Sequence, residues 1–149
     1  MSESNGMKTE FVIRKLAEGE AIDEASIPSV NASDGLNSLV VDIENFFKTT
    51  STPIKSQNKL AIEIGTDSGL LSKKLNGQRE FKKDELVAIC FVLGYDIYKT
   101  QETLKNLGFA LHSRDARDFE IMKGISANIT LDEMEQTLGE KDMKLIRKG

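Results

Sequence analysis

One cysteine, Cys90, and one histidine, His112, are the readiest nucleophile and the readiest general base in this 149-residue sequence. A Cys–His dyad assembles in space rather than along the chain, but nothing in this spacing favours one. Cys90 lies between Ile89 and Phe91 on the apolar side of a helical pattern and reads as an inert core thiol. His112 falls between two periodic segments, with no cluster of His, Cys or carboxylate around it to share a metal ion, and reads as a solvated loop residue. The acidic pairs Asp23-Glu24 and Asp84-Glu85 are adjacent in sequence, and adjacent residues do not face one another on a helix. Asp84-Glu85 suits a helix start, where the dipole favours negative charge. Gly65, Gly69 and Gly77 lack the preceding strand of a phosphate-binding loop. A single cysteine also excludes an internal disulfide and a multi-cysteine metal site. The expectation is therefore no enzyme, no catalytic residue, no metal and no cofactor.

The elements that position the remaining polar residues are all helical in pattern. Leu36, Leu39, Val40, Ile43, Phe46 and Phe47 recur at spacings of three and four, with Asp34 or Ser33 as the expected cap and Thr49 to Pro53 as the stop. Ser56 reads as the cap of a short helix carrying Leu60, Ala61 and Ile64, which Gly65 closes. Asp67 or Ser68 opens the next, with Leu71 and Leu75 four apart, and Asn76-Gly77 ends it through residues that tolerate the left-handed conformation. A helix over about Lys83 to Leu93 follows and stops at Gly94. Asp96 caps another, whose stripe Ile97, Thr100, Leu104 and Leu107 ends at Gly108. Beyond it the pattern predicts a short helix from Ser113 with a break near Gly124. A last helix opens on the capping box Thr130-Leu131-Asp132-Glu133. No strand alternation and no internal repeat is found, so the fold class is all-α.

The segment Leu60 to Arg79 carries the functional information. Two short helices separated by Gly65 and about three residues must cross steeply, and the small Ala61 lets the second approach closely. If Leu60, Ile64, Leu71 and Leu75 face a common core, Ser68, Gly69, Ser72 and Lys73 are left on the outer face of the second helix. Small polar residues at an exposed helix start suit entry into a DNA major groove. Between Lys55 and Lys83 stand seven basic residues (Lys55, Lys59, Lys73, Lys74, Arg79, Lys82, Lys83) against Glu63, Asp67 and Glu80. The bland alternative for such a cluster is an ordinary solvated face.

At this point the sequence resembles the Cro/CI-type (Xre) helix-turn-helix family, which includes the phage lambda repressor. The resemblance rests on Ser56-Gln57, Leu60-Ala61, Gly65, Ser68-Gly69, Leu71, Ser72 and Asn76-Gly77-x-Arg79, followed by Leu86 to Gly94 as the family's fourth helix. It covers about residues 36 to 107, and implies a five-helix lambda-repressor-like domain. By resemblance, Gln57 and Asn76 would touch phosphates while Ser68, Gly69 and Ser72 face base edges. The expectation for the whole surface is that Ser68, Ser72 and Lys73 read bases while Lys55, Gln57, Asn76, Gln78 and Arg79 hold the backbone. Lys74 stands where the family usually has an apolar residue, and Asp67 places a negative charge at the start of the reading helix. The resemblance implies a transcriptional regulator, a repressor acting as a homodimer on double-stranded DNA. A single small module makes few phosphate contacts and binds weakly at physiological salt, which itself argues for a dimer on two half-sites.

The net charge of −4 looks at first unsuited to DNA. Residues 1–35, however, hold three basic and seven acidic residues, and the rest of the chain holds 17 of each. The organisation expected is an acidic, weakly ordered arm over 1–35, a helix-turn-helix domain over 36–108, and a helical extension over 109–149. Within the arm only Phe11, Val12, Ile13 and Leu16 offer much to bury. The segment 113–149 is either the dimer contact or a cover for the chain's own core, and the two readings weigh equally. Tyr95 and Tyr98 read either as a partner-facing patch or, more commonly, as half-buried core. No run of eighteen apolar residues and no secretory pattern is present, so no membrane span and a cytoplasmic address are expected. The rival function is a protein-interaction module, antitoxin-like or adaptor-like, with the helix-turn-helix as scaffold and the arm or the C-terminal helices binding a protein partner.

Overall fold

The computed structural model describes residues 32–49, 51 and 53–147. These residues form seven helices and no strand: α1 (Ala32–Thr49), α2 (Gln57–Ile64), α3 (Ser68–Leu75), α4 (Lys83–Leu93), α5 (Ile97–Asn106), α6 (Ala116–Ser126) and α7 (Leu131–Glu140). None is long and apolar enough to cross a membrane. The acidic arm expected over 1–35 lies outside the described residues up to position 31.

Side-chain caps start five of these helices. Ser56, Asp67, Asp96, Asp115 and Thr130 each accept a hydrogen bond from the backbone N–H three residues on. Each such cap contributes on the order of 1 kcal/mol. The Thr130 box is reciprocal, since Glu133 Oε1 accepts from the Thr130 N–H at 2.8 Å. Of the alternatives read at α3, Asp67 is the cap and Ser68 the first helical residue. Gly65, Gly94 and Gly108 take positive φ where helices end. At the end of α3 it is Gly77 that turns left-handed, at φ 82°, while Asn76 stays right-handed.

Three boundaries differ from the sequence pattern. Helix α1 begins at Ala32, so Asp34 sits in its first turn and is not its cap. Helix α6 begins at Ala116, not Ser113, because Asp115 supplies the cap. It also passes through Gly124 to Ser126, without the break expected there. Gly124 is buried where α6 and α7 meet: a Cβ there would collide with Met134 Sδ and approach Ile129 Cδ1 at 3.1 Å. The glycine is a contact surface, and the chain turns instead at Asn128, with φ 61°.

Helix α4 is the axis of the fold. Leu86, Val87, Ala88, Ile89 and Cys90 are consecutively buried, as in a helix enclosed on every side. It packs on α2, α5 and α7, while α1 lies on α5 and α6 bridges α5 and α7. One core cluster runs from Leu39 and Ile43 through Leu60, Leu71, Leu86 and Leu104 to Ile121, Met134, Leu138 and Ile146. Residues of the extension thus share one core with the residues before it.

Polar ties fasten the extension. Buried Gln101 donates to the Leu111 carbonyl at 2.8 Å and accepts from the Leu111 N–H at 2.9 Å, holding the loop between α5 and α6. Glu135 accepts from the N–H groups of Ile146 and Arg147 at 2.7 and 3.0 Å, and from Arg147 Nε at 3.1 Å. Arg147 Nη1 then donates to the Glu63 carbonyl of α2 at 3.2 Å. The last described residues are thereby tied to the end of α2.

Candidate nucleic-acid interface

Helices α2 and α3 are joined by Gly65, Thr66 and Asp67. Gly65 (φ 82°) lets the chain leave α2, and the Thr66 N–H closes on the Ala61 carbonyl at 2.9 Å. Asp67 then restarts the helix through its 2.8 Å bond from the Leu70 N–H. Ala61, Leu60, Ile64 and Leu71 are all buried, so the small residue sits where the two helices meet the core. The carboxylate of Asp67 acts as a cap, which accounts for an acid at this end of the helix.

Helical spacing places Gly69, Ser72, Lys73 and Asn76 on one stripe of α3 and its cap, with Ser68 beside it. Gly69, Lys73 and Asn76 are exposed, and Ser68 and Ser72 are half-buried. Leu71 and Lys74 form the buried side. After α3, Gln78 and Arg79 are exposed, and both backbone N–H groups fold back on the Lys73 carbonyl at 2.8 and 3.3 Å. Lys55 is exposed just before α2, while Gln57 is its first residue and half-buried. None of the nine residues read as contacts is fully buried.

The basic cluster is smaller at the surface than in the sequence. Lys74, with a side chain only 5% exposed, places Nζ 2.5 Å from Glu85 Oε2 and 2.6 Å from Oε1. Lys83 Nζ lies 2.8 Å from Oδ2 of buried Asp118, which also accepts from the His112 N–H at 2.9 Å. Two of the seven cations are thus turned inward and neutralised by acids outside the stretch Lys55 to Lys83. Glu85 also accepts from the Lys82 N–H at 2.8 Å, so one carboxylate caps α4 and holds the end of α3. Its neighbour Asp84 receives both terminal nitrogens of Arg117 at 3.2 Å. The acidic pair belongs to two different ties, as adjacent helical residues must. By sequence Lys74 counts in the basic surface cluster; its burial and its partner eleven residues on come from the placement of α3 beside α4.

Beside this stripe lies a groove of about 680 Å³, between the start of α1, the turn after α3 and the loop after α5. Leu36, Leu75, Phe81, Leu107 and Phe109 form its apolar wall, with Asn76, Arg79 and Glu80 at its edge. No sequence pattern marked it, because its wall comes from three separated segments.

Cys90 is buried, and burial pushes its thiol up to about 12, so it stays protonated at neutral pH. His112 is exposed. Among the described residues no group of three His, Cys, Asp or Glu side chains is placed to hold a metal ion. Tyr95 is half-buried and donates to Asp42 Oδ2, and burial followed by that carboxylate raises its phenol above the ordinary range. Comparison with protein-family models, curated proteins and solved structures finds no match to this chain.

Proposed function

We propose that this chain is a sequence-specific DNA-binding regulator with a lambda-repressor-like helix-turn-helix of the Cro/CI type, a repressor acting as a homodimer. The observation that carries the reading is the division of α3. Leu71 and Lys74 are buried, while Gly69, Ser72, Lys73 and Asn76 share an outward stripe free of bulky apolar side chains. Such a helix can lie close to base edges, with Ser68, Ser72 and Lys73 as readers. Exposed Lys55, Gln78 and Arg79, with Gln57 and Asn76, supply donors for the phosphates on either side. The test is duplex binding by the full chain carrying Ser72→Glu with Lys73→Glu. These outward positions leave helicity intact, and the paired charge reversal abolishes binding. Binding equal to the parent's would remove α3 from the groove.

A second reading, a protein-interaction module, is favoured by the inward ion pairs of Lys74 and Lys83 and by Ile62, 65% exposed on α2. Salt dependence separates the two. A steep fall of affinity for random duplex with rising salt marks phosphate binding. No affinity for duplex at low salt marks the module.

A further inference from the structure

We propose that the apolar groove beside α3 is the docking site for this chain's own Phe11–Leu16 segment, and that the docked arm competes with DNA. The second half rests on the DNA-binding reading; the first does not. The groove is of ligand size at about 680 Å³, and Leu36, Leu75, Leu107 and Phe109 remain only partly buried in it. Its wall includes Leu36, in the second turn of α1, so the groove opens where the chain arrives from residues 1–31.

Three observations select this occupant. Phe11, Val12, Ile13 and Leu16 form the one cluster of large apolar residues in the stretch before Ala32. Fifteen residues separate Leu16 from Ala32, and a chain of that length reaches at most roughly 50 Å, which is ample to bring Phe11–Leu16 to the groove. A segment so tethered is present at an effective concentration on the order of millimolar, which a second copy in dilute solution does not reach. Charge also matches: Glu18, Glu20, Asp23 and Glu24 directly follow the apolar cluster, and exposed Arg79, Lys73 and Lys82 lie at or after α3. With Phe11–Leu16 in the groove, these carboxylates lie where phosphates would otherwise bind, and the docked arm covers Asn76 and Arg79.

The test is a cysteine pair in the full chain, Val12→Cys with Glu80→Cys, oxidised at dilute protein concentration. Native Cys90 is buried and does not interfere. Docking gives an intramolecular disulfide formed at least fivefold faster than in a Val12→Cys, Glu140→Cys control, because α7 lines no part of the groove. Adding Phe11→Ala and Leu16→Ala to the pair returns the rate to that of the control. A rate no faster than the control overturns the docking, and an intermolecular disulfide assigns the groove to a second copy and overturns it equally. The oxidised, locked chain binds duplex DNA at least tenfold more weakly than the same chain reduced. Equal affinity in the two states overturns the competition. If neither state binds duplex, the DNA reading and the competition fall, while the disulfide rates still decide the docking.

Discussion

Lys74 and Glu85 join the end of α3 to the start of α4 through an ammonium–carboxylate contact of 2.5 Å, and the Glu85 carboxylate also receives the Lys82 N–H. The two side chains are 5% and 17% exposed, so the pair stands in a region of weak solvent screening. Removing one partner from a buried pair leaves the other charge desolvated, at a cost of about 3–5 kcal/mol. Glu85→Ala strands Lys74 and uncaps α4, and is expected to lose that much stability. Lys74→Met with Glu85→Gln keeps an acceptor for the Lys82 N–H and removes both charges, and stays within about 1 kcal/mol of the parent. Urea unfolding of the two variants checks the difference. Equal losses would show that the pair contributes no more than its volume.

Gly124→Ala tests the contact between α6 and α7. The added methyl group meets Met134, which is 1% exposed and has little room to withdraw. Overpacking of this kind costs about 1–3 kcal/mol, against the small gain alanine brings to an open helical site. The thermal midpoint falls for Gly124→Ala in the parent, whereas in a Met134→Ala background, itself destabilised by the lost core side chain, the same glycine change lowers it little or not at all. An unchanged midpoint in the single variant would mean that the two helices separate freely.

Alkaline pH weakens the fold through Cys90. The thiol is raised from 9.0 to about 12 in the folded chain by burial. A group with a raised folded pKa contributes stability that is complete below its unfolded value and is lost as pH climbs towards the folded one. The loss therefore begins near pH 9, where the unfolded thiol ionises, and grows by at most about 1.4 kcal/mol per pH unit. Tyr95 is shifted in the same direction and adds to the slope at higher pH. Unfolding free energies at pH 8, 10 and 11 show a shallower decline for Cys90→Ala than for the parent. Parallel declines would assign the alkaline loss to other groups.

Arg79→Ala measures the proposed phosphate contact. Loss of one phosphate neutralisation lowers the slope of log affinity against log salt by about 1 and weakens binding alike across sequences. Binding titrations at several salt concentrations, on two unrelated duplexes, provide the check. A changed sequence preference at constant salt slope would place Arg79 on a base edge and not on the backbone.

Local chemistry made the helices around the candidate site legible. Ser56, Gly65, Asp67 and Gly77 act on backbone within a few residues, so their roles can be read from spacing alone, and Lys83–Leu93 is the fourth helix at the boundaries its pattern marks. Gly124 misled because the residue has two uses. Flexibility at a helix end and closeness at a helix contact leave the same letter, and only Met134, ten residues on, separates them.

By itself the sequence determined the helical class of the described residues, an outward-facing polar stripe on a short helix, and a net charge confined to its first 35 residues. Those are properties of period, cap and composition, set within about one helical turn or by counting. Tertiary structure decided that Lys74 and Lys83 face inward, and that the extension shares the core of the preceding helices. It also built the groove from Leu36, Leu75, Phe81, Leu107 and Phe109. Each of these depends on partners distant along the chain, where burial and the need to pair a desolvated charge select the neighbour, and periodicity carries no record of that choice.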